Sequence, residues 1–330
     1  KVKLADNVTL KNDQSQAAMV VIEPSTGKVV GCVGKLGAKT TNGDLNRATQ
    51  TKRQIGSAMK PIAVIGPAVQ EGIISPASVY DDKQTSEFSV DGKPWPKNYY
   101  GSFYGKQTVR EAIKISGNVI PVRILNQIGV SKSIEYLNKM NMTVQSPGLS
   151  LALGSAEFTP LQMAKYVAMI ANRGKNLDVT IVKSIINPDG SEVSRDEYES
   201  YVNEKLGLQQ ENVEEMNFKE ENIEAILEGM RGVTSESGGT AYSTFRNFNI
   251  EVGGKTGSAQ TGVQGKTNAW FVGFAPFDDP EIAIVVFVRN GGHGSYTAEV
   301  ARDIIAQYFG MNTNQVTENT TAIPTVQIIN

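Results

Sequence analysis

Strand-forming runs lie toward both ends of this chain, and helical patterns fill the space between them. Near the start, "AAMVVIEPSTGKVVGCVG" (Ala17–Gly34) places two β-rich runs around "EPSTGK", a hairpin turn. Near the end come "NIEVGGKTGSAQT" (Asn249–Thr261), "NAWFVGFAP" (Asn268–Pro276) and "EIAIVVFVRN" (Glu281–Asn290), the last two joined by the tight turn "FDDPE". The pattern predicts α+β architecture: a five-stranded antiparallel sheet drawn from both chain ends, flanked by helices, with a helical lobe inserted into it.

The inserted region carries its own punctuation. "QTVREAIKIS" has Thr108 at a cap and Glu111 three residues on; "FTPLQMAKYVAMIANRG" has Thr159 with Gln162, Pro160 at the first helical position and Gly174 at the exit. Helical spacing recurs over Phe218–Val233 and over Thr297–Gly310, the latter placed to pack on the sheet. Val179–Val193 reads as a hairpin turning at Asn187–Gly190, and the acidic stretch Ser194–Glu215 as a solvated face. The opening 1–15 reads as a linker remnant from a mid-chain start, 16–312 as one domain, and 313–330, rich in Asn and Thr, as a poorly ordered tail.

Composition closes off several classes of function. With 330 residues, 40% apolar and 20% charged, the chain has ample material for a core. A net charge of −2 without a lysine-rich block argues against a nucleic-acid or anionic-membrane surface. The longest apolar run has strand length rather than membrane-spanning length, and no signal peptide opens the sequence. A single cysteine, Cys32, excludes an internal disulfide and a cysteine-based metal cluster; it reads as a small buried residue in a strand. No cofactor and no metal are expected.

The chemistry begins at "KRQIGSAMKPIAVIG", where Ser57 stands three residues before Lys60. Residues three apart share a helical face, so the spacing predicts the Lys60 amine beside the Ser57 hydroxyl, at the positive end of a helix. Gly56 allows a close approach there, and Pro61 fits only near a first turn. The lysine would act as the base that activates the serine, and its ordinary pKa of about 10.4 must then fall to near 7, roughly 4–5 kcal/mol at about 1.4 per unit. Burial and a second cation supply that shift. "KTGS" offers the cation: Lys255 gives charge, Thr256 and Ser258 give donors, and Gly257 lets backbone approach a carboxylate ligand. "SGN" adds Ser116 as a proton relay and Asn118 as a holder of a substrate amide. The other Ser-x-x-Lys, Ser25 to Lys28, is a hairpin turn, and the lone His293, in "RNGGHGS", reads as an exposed loop residue.

Ser-x-x-Lys, Ser-Asp-Asn and Lys-Thr-Gly form the signature set of penicillin-binding proteins and class A β-lactamases, and this chain carries them in order with Gly117 in the middle of the second. With "NRATQTKRQIGSAMKP", "TVREAIKISGNVIPV", "LSLALGSAEFTPLQMA" and "GGKTGSAQT…NAWFVGFAP", the sequence resembles penicillin-binding transpeptidases from Gln16 to Phe309. The resemblance implies an active site between the lobes and peptidoglycan stem peptides as partners. Ser57 would attack between two D-alanines and form an acyl-enzyme, with Lys60, Ser116 and Lys255 moving protons. The backbone N–H groups of Ser57 and Ser258 would form the oxyanion hole. Lys255, Thr256, Gly257 and Ser258 would hold the terminal carboxylate, and Asn118 the peptide. An amine acceptor would complete a crosslink, β-lactams would acylate the same serine, and the site would lie outside the cytoplasm, at the outer face of a bacterial membrane.

Two positions depart from the family pattern: Ile55 replaces the usual proline, and Gly117 inside "SGN" leaves that loop looser. "SGNVIPV" looks like the bifunctional glycosyltransferase–transpeptidases, "KTGSAQ" and "AWFVGFAP" like the monofunctional ones; the bifunctional class, with its first domain missing, is the favoured placement. A β-lactamase would need a Glu-x-x-Leu-Asn stretch, and "EYLN" (Glu135–Asn138) has the wrong spacing. A D,D-carboxypeptidase using water, or a β-lactam sensor that binds without turnover, are the alternatives.

Overall fold

A computed structural model describes residues 16–37, 43–206 and 216–311; the expected linker, the expected tail and the end of the acidic stretch lie outside them. Along the chain run β1 (Ala17–Ile22), β2 (Val29–Val33), α1 (Val109–Lys114), α2 (Val119–Ile128), α3 (Val130–Asn138) and α4 (Pro160–Ala171). There follow α5 (Arg195–Leu206), α6 (Glu220–Ser235), β3 (Gly253–Gln260), β4 (Thr267–Ala275), β5 (Ile282–Val288) and α7 (Gly294–Tyr308).

The two chain ends meet in one sheet of order β3-β4-β5-β1-β2. All four pairings are antiparallel, with Ala17 opposite Val288 and Lys255 opposite Val272. β5 reads as an unbroken apolar run rather than an alternating one because both its faces are covered: α7 packs on β4 and β5, α4 on β5 and β1. Trp270, Phe271, Phe274 and Phe287 are fully buried there, each worth about 1.5–3 kcal/mol of transfer free energy.

At the other edge β2 alternates, and Cys32 faces outward. The buried placement expected for it fails because β2 is an edge strand covered on one face only. Thr108 caps α1 by accepting from the Glu111 N–H, and Thr159 and Gln162 close a reciprocal capping box on α4. Of the hairpin expected over Val179–Val193 only the tip forms, Ile185–Ile186 paired with Glu192–Val193 around the turn, while α5 presents a charged, solvated surface.

β3 is the free edge of the sheet, and the cleft opens along it, between the sheet and the helical region.

Candidate active site

Three chain segments meet at this edge. Ser57 lies in a 3-10 turn, Gly56–Met59, followed by a wide π-turn over Pro61–Ile65 and only then by an α-helical segment, Gly66–Gln70. Pro61 lacks the N–H that a continuous helix would use, so the backbone takes these two other spacings in turn. The Lys60 N–H bonds to the Ser57 carbonyl, an i to i+3 contact that stacks the two residues in line. Gly56 makes the turn possible. Its φ is +63°, and a Cβ there would sit 2.5 Å from the Ser258 carbonyl oxygen, so the serine turn and β3 touch backbone to backbone. The Trp270 indole N–H donates to the Gln54 carbonyl (3.0 Å) and fixes the approach to the turn.

Lys60 is 1% exposed and Lys255 0% exposed, and neither has a carboxylate partner among the described residues. Lys60 Nζ donates to the carbonyls of Ser116 (2.9 Å) and Gly117 (2.8 Å) and to Asn118 Oδ1 (2.8 Å). The Ser57 hydroxyl is not among these acceptors; the contact predicted from spacing is replaced, in this state, by the Asn118 amide. Lys255 Nζ donates to Ser116 Oγ (2.7 Å) and to the Thr256 carbonyl (3.2 Å). Burial pushes the Lys255 ammonium down to about 7, and burial followed by the Lys255 charge holds Lys60 well below the ordinary lysine range. The demand for burial and a second cation is met by these two groups.

Ser116 bridges both lysines from an unusual position. The N–H of Ser116 bonds to the Ile113 carbonyl and that of Gly117 to the Ala112 carbonyl, the paired contacts of a Schellman helix end. Ser116 occupies the left-handed site of that motif with φ +60°, where glycine is usual. A serine there costs about 1–2 kcal/mol, so its side chain is kept against local preference. Gly117 does not loosen the loop. Its N–H and carbonyl are both engaged, and the Tyr100 hydroxyl lies 3.2 Å from where a Cβ would stand.

Behind Asn118 stands a network with no local sequence signal. The Asn118 N–H donates to Asn98 Oδ1 (2.8 Å), and its side-chain amide donates to the Lys97 carbonyl (2.8 Å). Asn98 Nδ2 donates in turn to both oxygens of Asp82 (2.8 and 3.1 Å), which also accepts from the Tyr100 hydroxyl and the Tyr104 N–H. Asp82 is 1% exposed. Its role depends on partners 16 and more residues away in sequence, so no motif could have announced it.

On the sheet side, Thr256 Oγ1 lies 2.6 Å from Thr240 Oγ1, a second residue that motif reading missed. Ser258 Oγ accepts the N–H of Gly294 at the start of α7 (2.9 Å), which leaves its own hydrogen free to donate into the cleft. His293 is exposed, as expected, but it is also a cleft residue: it caps α7, its Nδ1 meets Ser295 Oγ at 2.9 Å, and its ring stands 5.9 Å from that of Tyr99. The cleft encloses about 520 Å³ and is lined by Ser57, Ser116, Asn118, Thr256 and Ser258 among others. Among the described residues no group of His, Cys, Asp and Glu converges as a metal site requires.

Three segments thus bring a serine and two buried lysines to the free edge of an antiparallel sheet, with the serine and one lysine in a Ser-x-x-Lys arrangement. The chain belongs to the penicillin-binding protein transpeptidase domain family, whose sequence model matches residues 17–306. It is 32% identical to penicillin-binding protein 1F of Bacillus subtilis over 305 residues, which covers 90% of this chain and 39% of that protein. Against penicillin-binding protein 1A of Clostridium perfringens the identity is 30% over 292 residues, covering 83% and 40%. The chain thus spans about two fifths of these curated relatives. The fold is shared with penicillin-binding protein 1A of Haemophilus influenzae (TM-score 0.72, 21% identity, covering 93% of this chain and 49% of that one). It is shared equally with PBP2 of Pseudomonas aeruginosa, solved with WCK 5153 (TM-score 0.75, 20% identity, covering 94% and 77%).

Proposed function

We propose that this domain is a peptidoglycan D,D-transpeptidase with Ser57 as nucleophile. One observation carries the reading: Ser57 and Ser116 line one cleft, and behind it two buried lysines donate to Ser116, Lys60 to its carbonyl and Lys255 to its hydroxyl, with no carboxylate neutralising either among the described residues. A structural core would replace such cations with apolar side chains.

Lys60 with three acceptors is matched to an ammonium, which has three N–H donors. Burial and the neighbouring charge favour the neutral amine, which keeps two N–H groups and frees a lone pair. Release of Asn118 Oδ1 then lets that lone pair take the Ser57 proton, while the freed amide turns to the substrate. Ser57 Oγ adds to the carbonyl between two D-alanines. The oxyanion is held by the backbone N–H groups of Ser57 and Ser258, each worth about 3–4 kcal/mol in such sites. The C–N bond breaks, and Ser116, resupplied through Lys255, gives the leaving D-alanine amine its proton. Lys255, Thr256, Gly257 and Ser258 hold the terminal carboxylate until then. An amine of a neighbouring strand next attacks the ester, forms the crosslink and returns Ser57.

Relatives named 1A and 1F, of which the chain spans about two fifths, favour a place in a longer bifunctional synthase acting at the outer face of the bacterial membrane. No helix among the described residues is long and apolar enough to cross a membrane. The test is intact-protein mass spectrometry after benzylpenicillin. One penicilloyl adduct is expected on the native chain and none on Ser57→Ala; an adduct on the substituted protein places the nucleophile elsewhere.

A further inference from the structure

A second groove, of about 870 Å³, joins the cleft where Gln54 and Gln260 line both. Its walls carry Arg47, Arg53, Lys266 and Arg289 against one carboxylate, Glu157. The arginines of this groove differ from the rest. Six of the seven arginines elsewhere have a carboxylate within 4.0 Å: Arg110, Arg123, Arg173, Arg195, Arg231 and Arg302. Arg47, Arg53 and Arg289 have none among the described residues, although Glu157 shares their groove. Arg53 instead donates to the Lys52 carbonyl (2.7 Å). Arg47 and Arg53 are half-buried and Arg289 is exposed, and all three line the groove.

The groove lies on the path a donor peptide must take. With its terminal carboxylate at Thr256 and its scissile carbonyl beside Ser57 and Ser258, an extended peptide that follows the strand leaves along β3 toward Gln260. The cleft includes Ser258, Ala259 and Gln260, whereas Gly253 and Gly254 at the other end of the strand are buried. Gln260, which lines both cleft and groove, lies two residues past Ser258, so at about 3.3 Å per residue a peptide running along β3 reaches the groove within two to three residues.

We propose that this groove is an anion subsite for the donor: Arg47, Arg53 and Arg289 recognise a free carboxylate on the peptide two to three residues before the scissile bond. The proposal rests on the catalytic reading above for its direction, and its test does not depend on turnover. Two fluorescein-labelled synthetic peptides ending in D-Ala-D-Ala, one with a carboxylate at the upstream position and one with the carboxamide, are titrated by anisotropy into the full chain carrying Ser57→Ala. The carboxylate peptide is expected to bind roughly fivefold more tightly, the size of an exposed charge pair, with a preference that shrinks as salt is raised. Arg53→Gln with Arg289→Gln abolishes that preference, and Arg53→Lys with Arg289→Lys keeps most of it. Thermal melts show whether each variant folds. Equal binding of the two peptides, or a preference that survives the glutamine pair, overturns the subsite. So does dextran sulfate competing equally with both peptides while no carboxylate preference exists. Absence of a penicilloyl adduct on the native chain would remove the catalytic reading and leave the measured carboxylate preference standing.

Discussion

The two walls of the cleft achieve the same precision by opposite means. The sheet wall, Lys255–Ser258, is a regular ladder segment paired residue by residue with β4, and its backbone needs no special conformation. The helical wall, Ser116–Asn118, turns on a left-handed serine and is held by buried side chains: Asn98, from a loop, and Asp82, from the end of the short strand Val79–Asp82. A ladder fixes position through groups that every residue carries, so side chains there are free for chemistry. A helix end has no such redundancy, and side chains must supply the order. Substitutions behind the helical wall should therefore disturb the site more than comparable ones behind the sheet.

The largest effect is expected where both walls converge, at Lys60. Lys60→Met should slow penicillin acylation by about 10²–10⁴-fold, the range for loss of a general base, as read by stopped-flow with a fluorescent penicillin. Lys60→Arg, permanently charged, should do no better. A Lys60→Met protein that acylates within a factor of ten of the native chain would move the base to the sheet wall. Next comes the helical buttress. Asp82→Asn keeps shape but weakens hydrogen bonds to a buried charge, a loss of about 1–3 kcal/mol. The first-order acylation step should slow by about tenfold, as misplaced Asn118 no longer exchanges with Lys60, while the initial penicillin affinity set by the sheet wall changes little. Equal losses in both would erase the distinction between the walls.

The sheet wall has a pH signature of its own. Lys255 titrates near 7, so it is charged below that pH and neutral above it. Carboxylate capture should fall as pH rises through about 7, tenfold per unit, while the rising limb at lower pH reports the pair that includes Lys60. Lys255→Arg keeps its charge and should remove the falling limb of the acylation profile measured from pH 5 to 9. For stability the sign is reversed: between about 7 and about 10.4 the unfolded chain binds the proton that folded Lys255 lacks, so this residue favours unfolding less as pH rises.

These differences also explain what could be read from sequence. The sheet was legible because strand runs are local: Ala17–Gly34 and the three runs after Asn249 announce themselves as five antiparallel strands, whereas their order depends on contacts between the chain ends. The three motifs were legible because each carries its chemistry within four residues. Asp82, Asn98 and Thr240 were not, since their meaning lies in contacts made only after folding. The Ser57 turn was misread in detail, as a plain helix start, because the i to i+3 rule holds for a 3-10 turn and an α-helix alike. His293 looked like a loop residue and is one; that its loop caps α7 at the cleft required the register of β3 against that helix.

The smallest effect isolates the backbone strain at Ser116. Ser116→Ala and Ser116→Gly both delete the hydroxyl that Lys255 and the leaving amine would use, so both should be equally slow in acylation. They differ in one respect: alanine keeps a Cβ at φ +60°, and glycine does not. Relief of left-handed strain, about 1–2 kcal/mol, is opposed by the extra freedom glycine gives the unfolded chain, about 0.4–1 kcal/mol. Glycine should come out more stable than alanine by up to about 1.5 kcal/mol in urea unfolding followed by tryptophan fluorescence. An alanine variant as stable as the glycine one would mean that the Schellman end tolerates a Cβ without cost. The helical wall would then owe its shape to the Asp82 network alone, and the asymmetry between the walls would rest on side chains with no contribution from strain.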